Sequence, residues 1–164
     1  MIITLTGFMG CGKSTVGKAL AERLKWEYAD LDEKIAHKKG MSPSEIIMTE
    51  GEDAFRAVEA ECLRDVVVMH QLTGENLVLA LGGGTVTIKS VQHLIFEQTT
   101  CVFLKTSIED IRKRLGEVPK NRPLFDEKLY AERLPLYEKA ALTVVTEGRT
   151  PYDSAMEIGF LISK

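Results

Sequence analysis

The segment Gly7-Phe8-Met9-Gly10-Cys11-Gly12-Lys13-Ser14 satisfies G-x-x-x-x-G-K-[ST] at every constrained position, the pattern of a loop that binds phosphate. Glycines let the backbone curl tightly enough for successive N–H groups to point at one anion. A helix opening near Lys13 adds the positive end of its dipole. Lys13 then reaches the β- and γ-phosphates of a nucleotide, and the Ser14 hydroxyl can ligate Mg²⁺. The setting matches the motif: β-prone Met1 to Thr6 leads in, and an amphipathic pattern marked by Val16, Ala19, Leu20, Arg23 and Leu24 follows. The chemistry this arrangement supports is the holding and transfer of a phosphoryl group.

Further groups could act on that phosphate. Asp30-Leu31-Asp32 closes a strand-like stretch from Trp26 to Ala29, and strand alternation would put both carboxylates on one side. One could hold Mg²⁺ and the other could receive a substrate hydroxyl; a helix cap at Asp32 is the plainer use of that residue. Gly82-Gly83-Gly84 follows a short apolar strand from Asn76 to Leu81. A tight turn needs one or two glycines, so three in a row point to a ligand lying against the backbone. Arg112, Lys113, Arg114, Lys120 and Arg122 crowd around an aperiodic stretch, Gly116 to Phe125, in a chain of net charge −3. Beside a nucleotide they read as a lid that excludes water and brings an arginine to the transferring phosphate. Arg56 and Arg133 offer planar forks suited to a carboxylate, although a helical arginine is commonly a surface residue.

These side chains must be positioned by alternating strands and helices. Helices are predicted from Glu33 to Lys39, from the Ser42-Pro43 start to Gly51, and from Glu52 to Met69, where Phe55, Val58, Cys62, Val66 and Met69 form one apolar face. A helix over Val86 to Phe96, a strand at Cys101 to Leu104 and a helix at Ile108 to Leu115 come next. A helix from Glu127 to about Ala141, a strand at Leu142 to Val145 and a helix from Tyr152 to Ile162 complete the order. Such alternation implies a parallel sheet covered on both faces, with ligands beyond the carboxyl ends of its strands.

Composition sets outer limits. A length of 164 residues suits one domain, and 45% hydrophobic with 27% charged residues excludes a disordered chain. The net charge of −3 argues against a nucleic-acid surface, and no apolar run reaches membrane-spanning length. With strand and phosphate loop at the N-terminus, no targeting peptide and a cytoplasmic location are expected. Cys11, Cys62 and Cys101 are expected to be free thiols; Cys11 either reacts ahead of Cys62, because loop N–H groups and Lys13 favour its thiolate, or is too hemmed in by the loop to react. His37, His70 and His93 lack metal-ligand spacing and read as surface or capping residues.

Taken together and in order, Gly7 to Thr15, Asp30-Leu31-Asp32, Gly51-Glu52-Asp53-Ala54-Phe55-Arg56 with Glu59, Leu81-Gly82-Gly83-Gly84, Arg122-Pro123-Leu124 and Arg133-Leu134-Pro135-Leu136-Tyr137 resemble the shikimate kinases over nearly the whole chain. The resemblance implies a P-loop, nucleoside-monophosphate-kinase-like α/β fold: three α/β/α layers on a five-stranded parallel sheet. It also implies a mobile lid at approximately 112–125 and a substrate-binding helical segment at approximately 33–62. The implied reaction is ATP-dependent phosphorylation of the 3-hydroxyl of shikimate with Mg²⁺, on the route to chorismate and aromatic amino acids, by a monomer with small-molecule partners only.

By position, the resemblance puts Gly10, Cys11, Gly12, Lys13, Ser14 and Thr15 on ATP, with Arg114, Arg149 and Pro151 near the adenine. Ser14 and Asp30 would serve the metal, and Asp32 the reacting hydroxyl. Arg56 and Arg133 would bind the substrate carboxylate in a pocket shaped by Gly82, Gly83 and Gly84, and Arg122 would be the lid arginine. Lys13, Asp32 and Arg122 are the catalytic candidates. Cys11 departs from the small or hydroxyl residue of many relatives. A gluconate or other sugar-acid kinase is the nearest alternative, disfavoured by Phe55-Arg56 and Gly82–Gly84. A nucleotide-binding regulatory domain is the non-enzymatic one. A GTP-dependent switch would need D-x-x-G and N-K-x-D elements, and neither follows any strand.

Overall fold

Every residue of the first strand, β1 (Ile2–Thr6), is buried, as a strand between two helical layers must be. Its side chains alternate between two cores. Ile3 and Leu5 join Val78, Val102 and Leu104 against Val16, Leu20, Ala155 and Ile158. Ile2 joins Leu77, Leu79, Cys101 and Phe103 against Leu63, Val67, Val91 and Ile95. The computed structural model describes residues 1–115 and 127–164. The expected lid arginine, Arg122, and Lys120 lie outside the described residues.

With β2 (Glu27–Asp30), β3 (Leu77–Ala80), β4 (Thr100–Lys105) and β5 (Leu142–Val145), β1 forms one parallel sheet in the order β2-β3-β1-β4-β5. The helices among the described residues are α1 (Lys13–Leu24), α2 (Leu31–Lys39), α3 (Pro43–Glu50), α4 (Glu52–Thr73), α5 (Lys89–Gln98), α6 (Ile108–Leu115), α7 (Glu127–Tyr137) and α8 (Pro151–Ile162). The chain moves to one side of β1 first and to the other from β4 onward, so a crevice opens at the carboxyl end of β1. The five-stranded, three-layer α/β/α architecture expected from the sequence is the one observed.

Four local expectations are corrected. Asp30 ends β2 and caps α2, accepting a hydrogen bond from Glu33 N at 3.3 Å, so Asp32 is placed by a helical turn and not by strand alternation. The buried stripe of α4 runs through Phe55, Glu59, Cys62, Leu63, Val67 and His70 to a Gly74 cap, while Met69 is 61% exposed. The helix expected over Val86 to Phe96 is divided into a 3-10 turn at Thr85–Thr87 and α5, because Ile88 is extended at φ −80°, ψ 105°. Helix α7 stops at Tyr137.

Gly17 lies on the buried side of α1, where a Cβ would stand 2.7 Å from Tyr28 Cε1 and 3.2 Å from Leu5 Cδ1. Alanine there gains about 1 kcal/mol of helix propensity, but a methyl driven into a ring costs about 1–3 kcal/mol. The steric cost wins, and Gly17→Ala is expected to lower the urea midpoint. An unchanged or higher midpoint would show that Tyr28 tilts away freely.

Candidate active site

The loop from β1 to α1 turns on left-handed glycines, Gly10 at φ 77° and Gly12 at φ 92°, where an L side chain is disfavoured by about 1–2 kcal/mol. Gly12 caps α1 without a side-chain hydrogen bond, so the first-turn N–H groups stay available to an anion. Lys13 Nζ donates to Gly7 O at 2.8 Å and Phe8 O at 3.1 Å. Arg114 reaches the loop from α6, donating to Cys11 O at 3.0 Å while paired with Asp110 at 3.2 Å. Cys11 itself is 0% exposed, as is Cys101, and Cys62 is 5% exposed. Of the two expectations for Cys11 the burial favours the hemmed-in thiol: its sulfur is packed under the loop, where a Gly7 Cβ would come within 2.8 Å of it. Burial pushes the Cys101 thiol up to about 12.

At the carboxyl end of β2, Ser14 Oγ donates to Asp30 Oδ2 at 2.9 Å. Adjacent ligands of an octahedral Mg²⁺ with bonds of 2.0–2.1 Å lie about 2.9 Å apart, so this hard-oxygen pair fits that ion. The Tyr28 hydroxyl lies beside both residues, and its burial is the main reason its pKa is raised. Asp32 completes the acidic side. The residue as a whole is exposed at the start of α2, with its carboxylate facing Gly82. Desolvation first, then Asp30 and Glu59, push it up to about 6, against the pull of Lys13 and Arg56.

The turn after β3 binds these parts together. A Cβ on Gly82 would sit 2.9 Å from Glu59 Oε2 and 3.2 Å from Asp32 Oδ1, and one on Gly83 would lie 3.5 Å from Arg133 Nη1 and 3.6 Å from Met9 N. A Cβ on Gly84 would meet Arg56 Cζ at 2.8 Å. The expected site residues Lys13, Ser14, Asp30, Asp32, Arg56, Gly82, Gly83, Gly84 and Arg133 thus surround one crevice.

Two residues named in the family strings but given no role from the sequence hold the cluster. Glu59, 1% exposed in its side chain, accepts from Arg56 Nη1 at 2.6 Å and from Thr85 Oγ1 at 2.8 Å. Tyr137 donates to Gly83 O at 2.6 Å, accepts from Arg133 and stacks on Phe103 at 5.2 Å between ring centroids. Burial pushes its phenol up to about 12. Both signals were in the sequence: a charge on the apolar face of α4, three residues from Arg56, and a tyrosine four residues from Arg133. Other candidates stand apart. Thr15 is exposed, Arg149 pairs with Glu157 on α8, and Pro151 starts that helix behind a Thr150–Asp153 capping box.

Comparison with known proteins adds a family. The family model described as shikimate kinase matches residues 9–160. A shikimate kinase of Streptomyces coelicolor is 41% identical over 158 residues, covering 92% of this chain and 88% of the relative. One from Thermus thermophilus is 37% identical over 164 residues, covering 95% of this chain and 86% of the relative. A shikimate kinase from Acinetobacter baumannii, solved in complex with shikimate, superposes with a TM-score of 0.89 at 35% identity, covering 99% of this chain and 92% of that one.

The crowded carboxylates have a measurable cost. Because the folded-state pKa of Asp32 is raised above its ordinary 3.8 to about 6, its contribution is most favourable below pH 4 and is lost as pH rises through about 6. Asp32→Asn removes the charge and keeps the shape. The ligand-free variant is expected to melt above the natural protein at pH 7.5, with the gap closing towards pH 4. A gap of the opposite sign, or one independent of pH, would overturn the assignment of strain to this carboxylate.

Proposed function

The chain belongs to the shikimate kinase family, and from that premise we propose how its residues transfer the γ-phosphoryl group of ATP to shikimate. It is a kinase with ATP as co-substrate, and it phosphorylates shikimate, at the 3-hydroxyl in our reading, leaving ADP. No helix among the described residues is long and apolar enough to cross a membrane. We take the enzyme to be a cytoplasmic monomer.

The observation that carries the residue-level reading is the meeting of the phosphate loop, Asp32 and the Arg56/Arg133 pair around Gly82–Gly84. Loop N–H groups and Lys13 hold the β- and γ-phosphates, Lys13 exchanging the Gly7 and Phe8 carbonyls for phosphate oxygens. Ser14 and Asp30 would hold Mg²⁺, which when bound neutralises charge on the same oxygens. Arg114, already hydrogen-bonded to the loop, supports the adenine side with Thr15 and the Arg149–Pro151 turn, and Arg122 serves the lid. Arg56 and Arg133 take the shikimate carboxylate, which fixes the ring so that its hydroxyl faces Asp32. Phosphoryl transfer passes through a loose transition state in which the attacking hydroxyl has lost little of its proton. Asp32 therefore acts mainly by aiming that hydroxyl, and its raised pKa also lets it accept the proton late. The segments 112–125 and 33–62 are, in this reading, the lid and the acceptor-binding unit.

ADP release measured with shikimate, with gluconate and with no acceptor is expected to respond to shikimate alone. Lys13→Met should cut that turnover by on the order of a hundredfold, the loss of about 3 kcal/mol of charge stabilisation. A folded variant with near-natural turnover would remove Lys13 from the site.

The methyl ester of shikimate tests the arginine pair. Leaving Arg56 and Arg133 without their anion costs about 2–5 kcal/mol, so kcat/KM for the ester should fall by at least about thirtyfold. Equal kcat/KM for acid and ester would exclude a carboxylate grip by these two residues.

A further inference from the structure

His70 is not the surface residue its sequence context suggests: it is 7% exposed in the last turns of α4. Its two ring nitrogens face different acceptors. Nδ1 lies 2.9 Å from Val66 O, and a carbonyl can only accept, so Nδ1 carries a hydrogen. Nε2 lies 3.1 Å from Glu27 Oε2, and an ionised carboxylate can only accept as well. What lies between Nε2 and the Glu27 oxygen must therefore be positive, either a second ring proton or a bound cation.

A third acceptor converges on the same point. Glu75, placed by the left-handed Gly74 at φ 72° that ends α4, brings a carboxylate oxygen within 4.8 Å of both the Glu27 oxygen and His70 Nε2. We propose that Glu27, His70 and Glu75 form a site for a divalent transition-metal cation, of which Zn²⁺ is the probe. Backbone donation from Nδ1–H is the usual way a metal-bound imidazole is oriented. One imidazole nitrogen with two carboxylates suits Zn²⁺ and its neighbours, whereas Mg²⁺ prefers oxygen alone. With bonds of about 2.0–2.2 Å, adjacent tetrahedral ligands lie about 3.3–3.5 Å apart. The His70–Glu27 separation of 3.1 Å is within a small side-chain adjustment of that. Two carboxylates and a neutral ring also match a charge of +2.

The site lies away from the crevice, on elements that serve it. Glu27 opens the strand that ends in Asp30, and His70 lies in the last turn of the helix whose first turns carry Arg56 and Glu59. A cation there clamps the edge strand to the far end of α4, so its effect falls on stability and not on turnover.

The test uses metal-stripped full-length protein without nucleotide, titrated with ZnCl₂ by calorimetry and followed by thermal melting. One equivalent of Zn²⁺ is expected to bind and to raise the melting temperature by about 5 °C at a hundredfold excess over Kd. Millimolar Mg²⁺, which seeks the Ser14–Asp30 pair, should leave that binding intact. His70→Gln and Glu75→Gln should each weaken it at least about tenfold; Glu75 is exposed, so its variant keeps the fold and the turnover. Three outcomes would each overturn the proposal. One is the absence of saturable Zn²⁺ binding. Another is binding unchanged in both variants, which would point to the thiols or the crevice. The last is an NMR spectrum in which His70 stays doubly protonated with Zn²⁺ present, which would mean that a proton alone bridges it to Glu27.

Discussion

The site depends on a stretch of backbone with no room for side chains. Gly82, Gly83 and Gly84 each face a different working group: the Asp32–Glu59 carboxylates, Arg133 with the phosphate loop, and Arg56. A methyl at Gly84 would drive into the Arg56 guanidinium, and one at Gly82 into two carboxylates. The glycines thus let Arg56, Arg133 and the phosphate loop share one narrow crevice. Three glycines leave that turn soft, so something else must stiffen it. Tyr137 does so by holding Gly83 O, with its ring stacked on Phe103 at the sheet surface. Thr85 does so by bonding Gly82 O as well as Glu59.

The charges of the crevice are arranged for an occupant. Three carboxylates, Asp30, Asp32 and Glu59, stand close to Lys13 and Arg56, and the balance leaves Asp32 hard to ionise. Glu59 is the exception that proves stable on its own terms, because its buried charge is fully met by Arg56 and Thr85. A buried pair of this kind adds little net stability, but removing one partner costs about 3–5 kcal/mol. Its use is therefore geometric. It fixes one edge of the Arg56 fork, whose other terminal nitrogen lies 3.7 Å from Glu52 at the exposed start of α4.

Much of this was legible in the sequence, for reasons that are local. The phosphate loop, the strand before it and the helix after it are specified within a few dozen residues, and the glycine run announces its own close approach. What escaped depends on side-chain direction and long-range packing. Asp30-Leu31-Asp32 was read as strand alternation, yet the strand ends one residue into the motif because Asp30 caps the next helix. The apolar face of α4 was read through Met69, but the buried stripe takes in Glu59 and His70, polar residues whose partners lie on other elements. A periodicity count cannot recognise a charged residue as core until its partner is known. Cys11 stayed undecided for the same reason: its neighbours along the chain suggest an activated thiol, whereas its packing under Gly7 hides it.

That buried sulfur has a structural consequence for the phosphate loop. The loop must present N–H groups inwards while its carbonyls find other partners, and it must keep this shape before any phosphate arrives. Cys11 fills the space beneath Gly7 with an apolar group. Lys13 lies across the carbonyls of Gly7 and Phe8, and Arg114 takes that of Cys11. Lys13 Nζ also lies 3.8 Å from that sulfur, a weak contact that ties the packed thiol to the cation above it. The loop is thus held from below by packing and from above by two cations. In the function proposed above, Lys13 would give up its carbonyls and its 3.8 Å contact with the Cys11 sulfur for phosphate, while Arg114 keeps its hold on the loop. Anion binding then costs little rearrangement of the backbone, which is the condition under which preorganised N–H groups act most strongly on a transferring phosphoryl group.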